Sequence, residues 1–257
     1  MTGTFDPDLL SRIEDAGINA SAPREQLWID GWLVRFSAGK AKRARCIQAV
    51  AAGRLGIDAK LAVCLPVFAA AGLHPFVRIT PFSQPAGLDD HLGALGMDRV
   101  DDTRVMVLPD PGRLTATEDD AAIERTGVAA FAEWIGAQRG SSPDERRAHA
   151  DRLEQAPVRP VPVLRRDAIG TVVAGGQVTM EGSVAGLYDV VTAEAARGRG
   201  HAEALCRHLV RAAVDRGAEV AYLQVDAANT SARRLYARLG FVDAYAYHYR
   251  STPAATA

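Results

Sequence analysis

Lysine is scarce in this chain: of its thirty basic residues only Lys40, Lys42 and Lys60 are lysines. Cationic chemistry falls to arginine, whose planar fork suits two-point contacts with anions. Charge of one sign is not in excess either. The net charge is −1, so the totals hold no polycationic face for nucleic acid and no basic surface for an anionic membrane, and neither partner is expected. Cysteine is limited to Cys46, Cys64 and Cys206, odd in number and far apart. That pattern is neither a disulfide framework nor a metal spacing, so no metal is expected. Cys206 falls in a helical pattern and reads as a buried thiol. Long apolar runs are missing too. The longest, Leu61 to Leu73, has 13 residues and contains Pro66, short of the ~20 that span a bilayer. Asp6, Asp8, Arg12, Glu14 and Asp15 crowd the first stretch and leave no apolar signal-peptide core there. A soluble, cytoplasmic protein is the expectation.

What is present is enough for a packed interior. With 257 residues, 48% of them hydrophobic, the chain can form one large domain or two small ones. "FDPDLLSRIEDAGINA" reads as a helix capped by Asp6, with Pro7 in its first turn and Gly17 as its end. "WLVRFSA" and "KRARCIQAV" read as strands around a turn at Gly39. "IDAKLAVCLPVFAAAGL" reads as a helix, with Asp58 as N-cap, Gly72 as stop and Pro66 as a kink. "HPFVRITPF" is a strand, a short helix ends at Gly96, and "DRVDDTRVMVL" is a strand arm. The composition then shifts. "PDPGRLTATEDD" reads as a linker, and it divides the chain into 1–113 and 114–257.

The second half reads as two helices, Ala121–Ala137 and Asp144–Ala156, and then mostly strands. "VRPVPVLRR" contains prolines, so it is expected at an edge or with an irregular start. "IGTVVAGGQVTMEG" and "VAGLYDVVT" are β-rich. A helix follows with Ala202, Leu205, Cys206, Leu209, Val210 and Ala213 on one face. "EVAYLQVDA" is a strand, Asn229 caps a helix stopped by Gly240, and "AYAYHYR" closes as a strand. Both halves run strand, helix, strand, helix, strand. A shift of 145 lays Gly217 on Gly72 and "RGRGHA", Arg197 to Ala202, on "AGRLGI", Ala52 to Ile57. A shift of 144 lays Gly240 on Gly96. An ancient duplication is the reading.

One stretch carries chemistry: Arg197-Gly198-Arg199-Gly200-His201-Ala202, between a strand and a helix. Glycines let backbone N–H groups turn into one concavity. That concavity lies on a helix N-terminus, which favours anions. From Arg197 to Arg216 five arginines face two acids, which suits a pyrophosphate. The loop is neither a Walker loop nor a dinucleotide fingerprint, because both spacings are missing. A solvated strand-to-helix turn is the plain alternative for the hexapeptide alone.

Arg-x-x-Gly-x-Ala after a strand, followed by Asn229-x6-Tyr236 on a helix ending Leu239-Gly240-Phe241, resembles the signature of the GCN5-related N-acetyltransferase (GNAT) family. The resemblance covers roughly residues 115–250. It implies an α/β (α+β) fold, a mixed central sheet flanked by helices, here in tandem. It also implies acetyl transfer from acetyl-CoA to a primary amine, by direct attack in a ternary complex. Carried over residue by residue, Arg197, Gly198, Arg199, Gly200, His201 and Ala202 would hold the pyrophosphate. Backbone at Val190, Val191 and Thr192 would pair with the pantetheine, an N–H there would face the thioester oxygen, and a bulge would splay this strand from its neighbour. Asn229 would contact the cofactor, and Tyr236 would protonate the leaving thiolate.

The base is less defined. Where some family members carry Glu, this chain has Gln224, which cannot take a proton. Asp189 is the substitute placed first, followed by Asp226, Glu181 and His248. The first half keeps Gly53 and Arg54, but Ala52, Leu55 and Leu92 stand where Arg197, Gly200 and Tyr236 do, so one working site per chain is expected. Lys40, Lys42, Arg43 and Arg45 cluster there and would suit an acidic substrate or a solvated loop. The expected acceptor is a small-molecule amine, and the expected assembly a monomer built as a tandem pseudo-dimer, or a homodimer. A silent acetyl-CoA-binding module and a protein N-acetyltransferase are the competing readings.

Overall fold

The computed structural model describes residues 5–114 and 122–252; the remainder of the expected linker, 115–120, and Ala121, the expected start of the next helix, lie outside them. Helix α1 (Pro7–Ala20) starts as its sequence asks, with Asp6 accepting from the Asp8 N–H and Pro7 in the first turn. It does not stop at Gly17. That residue is buried in mid-helix, where a Cβ would stand 2.9 Å from Gln224 Nε2, so close approach explains the glycine. A hairpin of β1 (Gln26–Ile29) and β2 (Trp32–Arg35) turns at Asp30-Gly31, both with positive φ. The expected strand "KRARCIQAV" shrinks to β3 (Ile47–Gln48), because Lys42–Ala44 coils into a 3₁₀ turn. That turn aims Lys42 at Asp101 and Arg43 at Gln224.

Helix α2 (Ile57–Ala70) runs through Pro66 and is capped by Gly56, with Asp58 in its first turn rather than at the cap. Then come β4 (Phe76–Ile79), α3 (Leu88–Ala94) and β5 (Asp98–Leu108). In the second half, β6 (Ile123–Arg125) occupies part of the stretch read as a helix from Ala121; α4 begins only at Val128 and runs to Gln138. Ile123 is buried against β7 (Val161–Arg166). β6 therefore covers β7, which is not the edge its prolines suggested. Helix α5 (Pro143–Gln155) opens on a capping box of Ser142 and Glu145. β8 (Val172–Glu181), β9 (Val184–Thr192), α6 (His201–Val214), β10 (Val220–Asp226), α7 (Thr230–Arg238) and β11 (Val242–Ser251) complete the chain.

The strands form one mixed sheet in the order β1-β2-β3-β4-β11-β5-β10-β9-β8-β7-β6. The two halves are exchanged at its centre. β11, from the second half, lies between β4 and β5 of the first; β5 lies between β10 and β11. The repeat is visible in the element starts: 57 and 201 for α2 and α6, 76 and 220 for β4 and β10, 98 and 242 for β5 and β11. The offset is 144 at each pair, so Gly200 matches Gly56 and not Leu55, one residue from the expected register.

Each half has its own apolar core, around Trp32, Phe68 and Leu92 in the first and Leu205, Leu209 and Phe241 in the second. A third cluster, with Ile13, Val105, Tyr222 and Tyr245, fills the seam. Beside it Arg78 grips Glu14 with two nitrogens, Tyr245 donates to Glu14 Oε2 at 2.8 Å, and the Arg78 guanidinium lies 3.9 Å from the Tyr247 ring centre. No described helix is long and apolar enough to cross a membrane.

Candidate active site

The site begins where β9 leaves its neighbour. Val184–Leu187 pairs with Val220–Leu223 of β10, and beyond Leu187 that pairing stops. On the other side, Gln177 of β8 faces Tyr188 while Gly175 faces Val191, so β9 carries an extra residue. Asp189 sits in this bulge with φ 53°. The bulge peels Tyr188–Thr192 away from the end of β10 and opens a slot in the sheet.

The loop after β9 supplies the slot's far end. Gly198 and Gly200 have φ of 75° and 81°, values that a side chain resists. A Cβ on either would project into open space. No side chain caps α6, so its first N–H groups are left for a ligand. The resulting cleft, of about 830 Å³, is lined by Val190–Thr192, Arg197, Gly198, Gly200–Ala202, Asn229 and Tyr236. The structure thus brings the expected cofactor residues to one cavity, apart from Arg199, which is exposed and does not line it. Asn229 caps α7, its side chain accepting from the Ala232 N–H at 3.1 Å, and faces the cleft as well. Thr192 Oγ1 is buried there without a partner. An uncapped helix, open room above two left-handed glycines and an orphaned hydroxyl are what a long phosphorylated thioester would fill.

Tyr236 stands at the inner wall. Its ring packs edge-on against Phe241, 6.1 Å between centres, and is 8% exposed. Burial, and Cys206 beside it, push the phenol above its usual range, so at neutral pH it keeps its proton. A donor in this place can serve a departing thiolate.

A second pocket, of about 250 Å³, lies behind the bulge. Lys40 and Arg43 of the first half wall one side; α4, α5, β8 and β9 wall the other. Arg139 lines both cavities, so they adjoin at its side chain, which is bonded to Asp189. Arg139 donates to Asp189 Oδ1 at 2.6 Å, Gln177 Nε2 to Oδ2 at 2.6 Å, and His149 Nε2 lies 3.2 Å from Oδ2. Burial alone would raise this carboxyl; Arg139, His149 and Arg152 hold it well below the usual carboxylate range. A carboxylate so held is a firm anchor and a poor acceptor of protons.

The other base candidates lie elsewhere. Gln224 accepts from Arg43 and, at 2.8 Å, from Tyr247, so this amide ties the first half to the second. Asp226 closes a local turn onto the Ala228 N–H, Glu181 accepts from Asn19, and His248 contacts Asp89. Neither cavity is lined by any of these four. Sequence reasoning missed Arg139, His149 and Arg152. A faint signal existed: α5 is almost wholly polar, and His149 and Arg152, three apart, share one of its faces.

The matching loop of the first half holds an anion of its own. Asp30 accepts from the N–H groups of Arg54 at 2.9 Å and Leu55 at 2.8 Å. The buried Lys60 amine donates to Asp30 O at 2.8 Å and to Ala52 O, and lies 3.4 Å from Asp30 Oδ2. Gly53 has φ 67°, and a Cβ there would collide with Asp30. Leu92, at the place of Tyr236, is fully buried. The N–H groups of Leu55 and Arg54 lower the Asp30 pKa. A lowered carboxyl adds stability above the unfolded value of about 3.9 and loses it as pH falls through the folded value. Asp30→Asn should therefore lower Tm at pH 7, and the gap to the parent should shrink as the pH is taken to about 2. A gap of the same size at both pH values would contradict this role.

Residues 128–241 match the model of the acetyltransferase (GNAT) family. The chain is 28% identical over 229 residues to the uncharacterized N-acetyltransferase YobR of Bacillus subtilis (strain 168), covering 86% of this chain and 90% of that protein. Among solved structures, a GCN5-related N-acetyltransferase from Kribbella flavida superposes with a TM-score of 0.68 at 21% identity, over 95% of each chain. A tandem GNAT protein from the clavulanic acid biosynthesis pathway gives 0.57 at 13% identity, over 77% of this chain and 70% of that one. At these identities the structural likeness is one of fold.

Proposed function

We propose that this chain, whose residues 128–241 match the GNAT acetyltransferase family model, is an acetyl-CoA-dependent N-acetyltransferase whose acceptor is the primary amine of a small molecule, acetylated by direct attack in a ternary complex. The observation that carries this reading is the meeting of the two cavities at the β9 bulge, one long and open, the other about 250 Å³ and walled by both halves. Acetyl-CoA supplies a thioester whose carbonyl carbon takes the amine and whose sulfur leaves as thiolate. Arg197, Gly198, Gly200, His201 and Ala202 bind the pyrophosphate through backbone N–H groups and charge. Arg199 adds long-range charge from outside the cleft. The free edge at Val190, Val191 and Thr192 aligns the pantetheine, and an N–H there meets the developing oxyanion. Tyr236 gives its proton to the sulfur. Asp189 acts through Arg139, Gln177 and His149 as a positioning residue, and His149 is the side chain in that wall suited by its chemistry to take the amine's proton. Cys46, Cys64 and Cys206 are free and buried, which suits work in a reducing cytoplasm.

The test is release of CoA from acetyl-CoA across a panel of small amines and peptides. Release with small amines is expected. Tight binding without release on any amine would leave a silent binding module, and release with peptides alone would point to protein acetylation. Gly200→Val separates the cradle from the rest. Its Cβ would stand in the pyrophosphate's place at a φ of 81°, and the Kd for acetyl-CoA should rise by about tenfold or more, equivalent to at least ~1.4 kcal/mol. Undiminished affinity in a folded variant would remove the loop from the reading.

A further inference from the structure

The second pocket holds more positive charge than its own acids answer. Lys40, Arg43, Arg139, Arg146 and Arg152 line it, against Glu145 and Asp189. Lys40 pairs with Glu145 at 3.2 Å, Arg139 with Asp189 at 2.6 Å, and Arg146 with Glu133 at 2.5 Å. Two guanidiniums remain. Arg43 is bonded to the amide oxygen of Gln224 and lies 5.4 Å from the centre of the Tyr188 ring, with no carboxylate partner among the described residues. Arg152 has neither hydrogen bond nor ion pair among them. Burial lowers its pKa, with Arg43 and Arg139 adding to the effect and Asp189 opposing it. Arg43 and Arg152 are both half-buried, and a partly desolvated charge without a counter-ion gains from an anion that completes it.

The same pocket has an orphan of the opposite kind. Gln177, 3% exposed, donates its Nε2 to Asp189 Oδ2 at 2.6 Å, which fixes the amide. Its Oε1 is buried with no partner. Beside the bulge, therefore, one oxygen waits for an N–H, while Arg152 and Arg43 wait for an anion.

We infer that the acceptor is a small amine that also bears an oxyanion, a carboxylate or a phosphate, with the oxyanion held by Arg152 and an amine N–H by Gln177 Oε1. This rests on the second pocket being the acceptor's. Neutral amines leave the two guanidiniums unanswered, and simple anions leave the Gln177 oxygen orphaned. A zwitterion satisfies both ends and presents its nitrogen on the side of Asp189, where the cofactor slot begins.

The experiment compares probes that differ in one group: amino acids against their amides, and aminoalkyl phosphates against the matching aminoalcohols. Calorimetry measures binding to the full chain loaded with CoA; CoA release from acetyl-CoA is followed separately. The anionic member of at least one pair should bind about 10- to 100-fold more tightly. Arg152→Gln should abolish that preference and Arg152→Lys should restore part of it, while acetyl-CoA affinity, read in parallel, reports that the variants are folded. The carboxylate and phosphate pairs decide between the two oxyanions. Equal binding in every pair, or a preference that survives Arg152→Gln, overturns the inference. Arg152-dependent binding without turnover would strike at the transferase reading and overturn the acceptor assignment, leaving only a site for such zwitterions.

Discussion

Tyr236→Phe should lower kcat by about 100-fold or more, with the KM for acetyl-CoA little changed, because loss of a positioned general acid costs roughly 10²–10⁴ in rate. The substitution is clean. The ring keeps its edge-on contact with Phe241, and the phenol hydroxyl has no hydrogen-bond partner among the described residues, so stability should hardly move. Only the proton is lost, and burial keeps that proton in place at neutral pH. The deficit should therefore depend on the leaving group. An acetyl thioester whose thiol has a low pKa needs little protonation, and with it the variant should approach the parent rate. An unchanged kcat with acetyl-CoA at saturation would remove Tyr236 from the chemistry. An equal loss with every thioester would make it a packing residue.

Glu14→Ala should cost about 3–5 kcal/mol of stability, because it strands a buried guanidinium. Arg78 lies within the sheet, its side chain 2% exposed, and Glu14 is its carboxylate partner. The lost carboxylate also takes away the acceptor of the Tyr245 hydroxyl. Against a total of about 5–15 kcal/mol for a folded protein, this is a large fraction. The urea midpoint should fall accordingly. Tyr245 lies on β11 and Arg78 on β4, so the damage falls on the seam between the halves and both should unfold together in one transition. Replacing the pair, Glu14→Leu with Arg78→Met, should recover most of the loss, since an apolar pair avoids the desolvation of two charges. A cost below about 1 kcal/mol for Glu14→Ala would show that the ion pair is not what secures the seam.

That the expected cofactor residues would line one cleft was legible because most of its determinants are local. A strand end, two glycines and a helix start lie within one short stretch, and a Tyr seven residues after an Asn marks the next helix, so local chemistry set the geometry of each. The pocket proposed for the acceptor was not legible. Arg43, Arg139, His149 and Asp189 come from four separate elements, and no short-range pattern announces that they will meet. Gly17 reads as a helix stop by propensity, but the approach of Gln224 across the fold decides its identity. The decay of the first-half loop was visible as lost arginine and lost tyrosine. That Asp30 had moved into the N–H groups was not, because the turn that carries it lies more than twenty residues upstream. The exchange of β5 and β11 was equally hidden. Their apolar patterns predict strands and are silent on partners.

That exchange sets an order of events as the chain is made. A ribosome that has released β1 to β5 has delivered every strand of the first half, yet β4 and β5 do not touch in the finished sheet: the space between them belongs to Val242–Ser251. The pairing that completes the first half thus joins segments more than 130 residues apart in sequence, the kind of contact that forms slowly. Until it forms, β4 and β5 each present an open edge, the feature by which nascent chains find wrong partners. β11 is the strand both halves wait for.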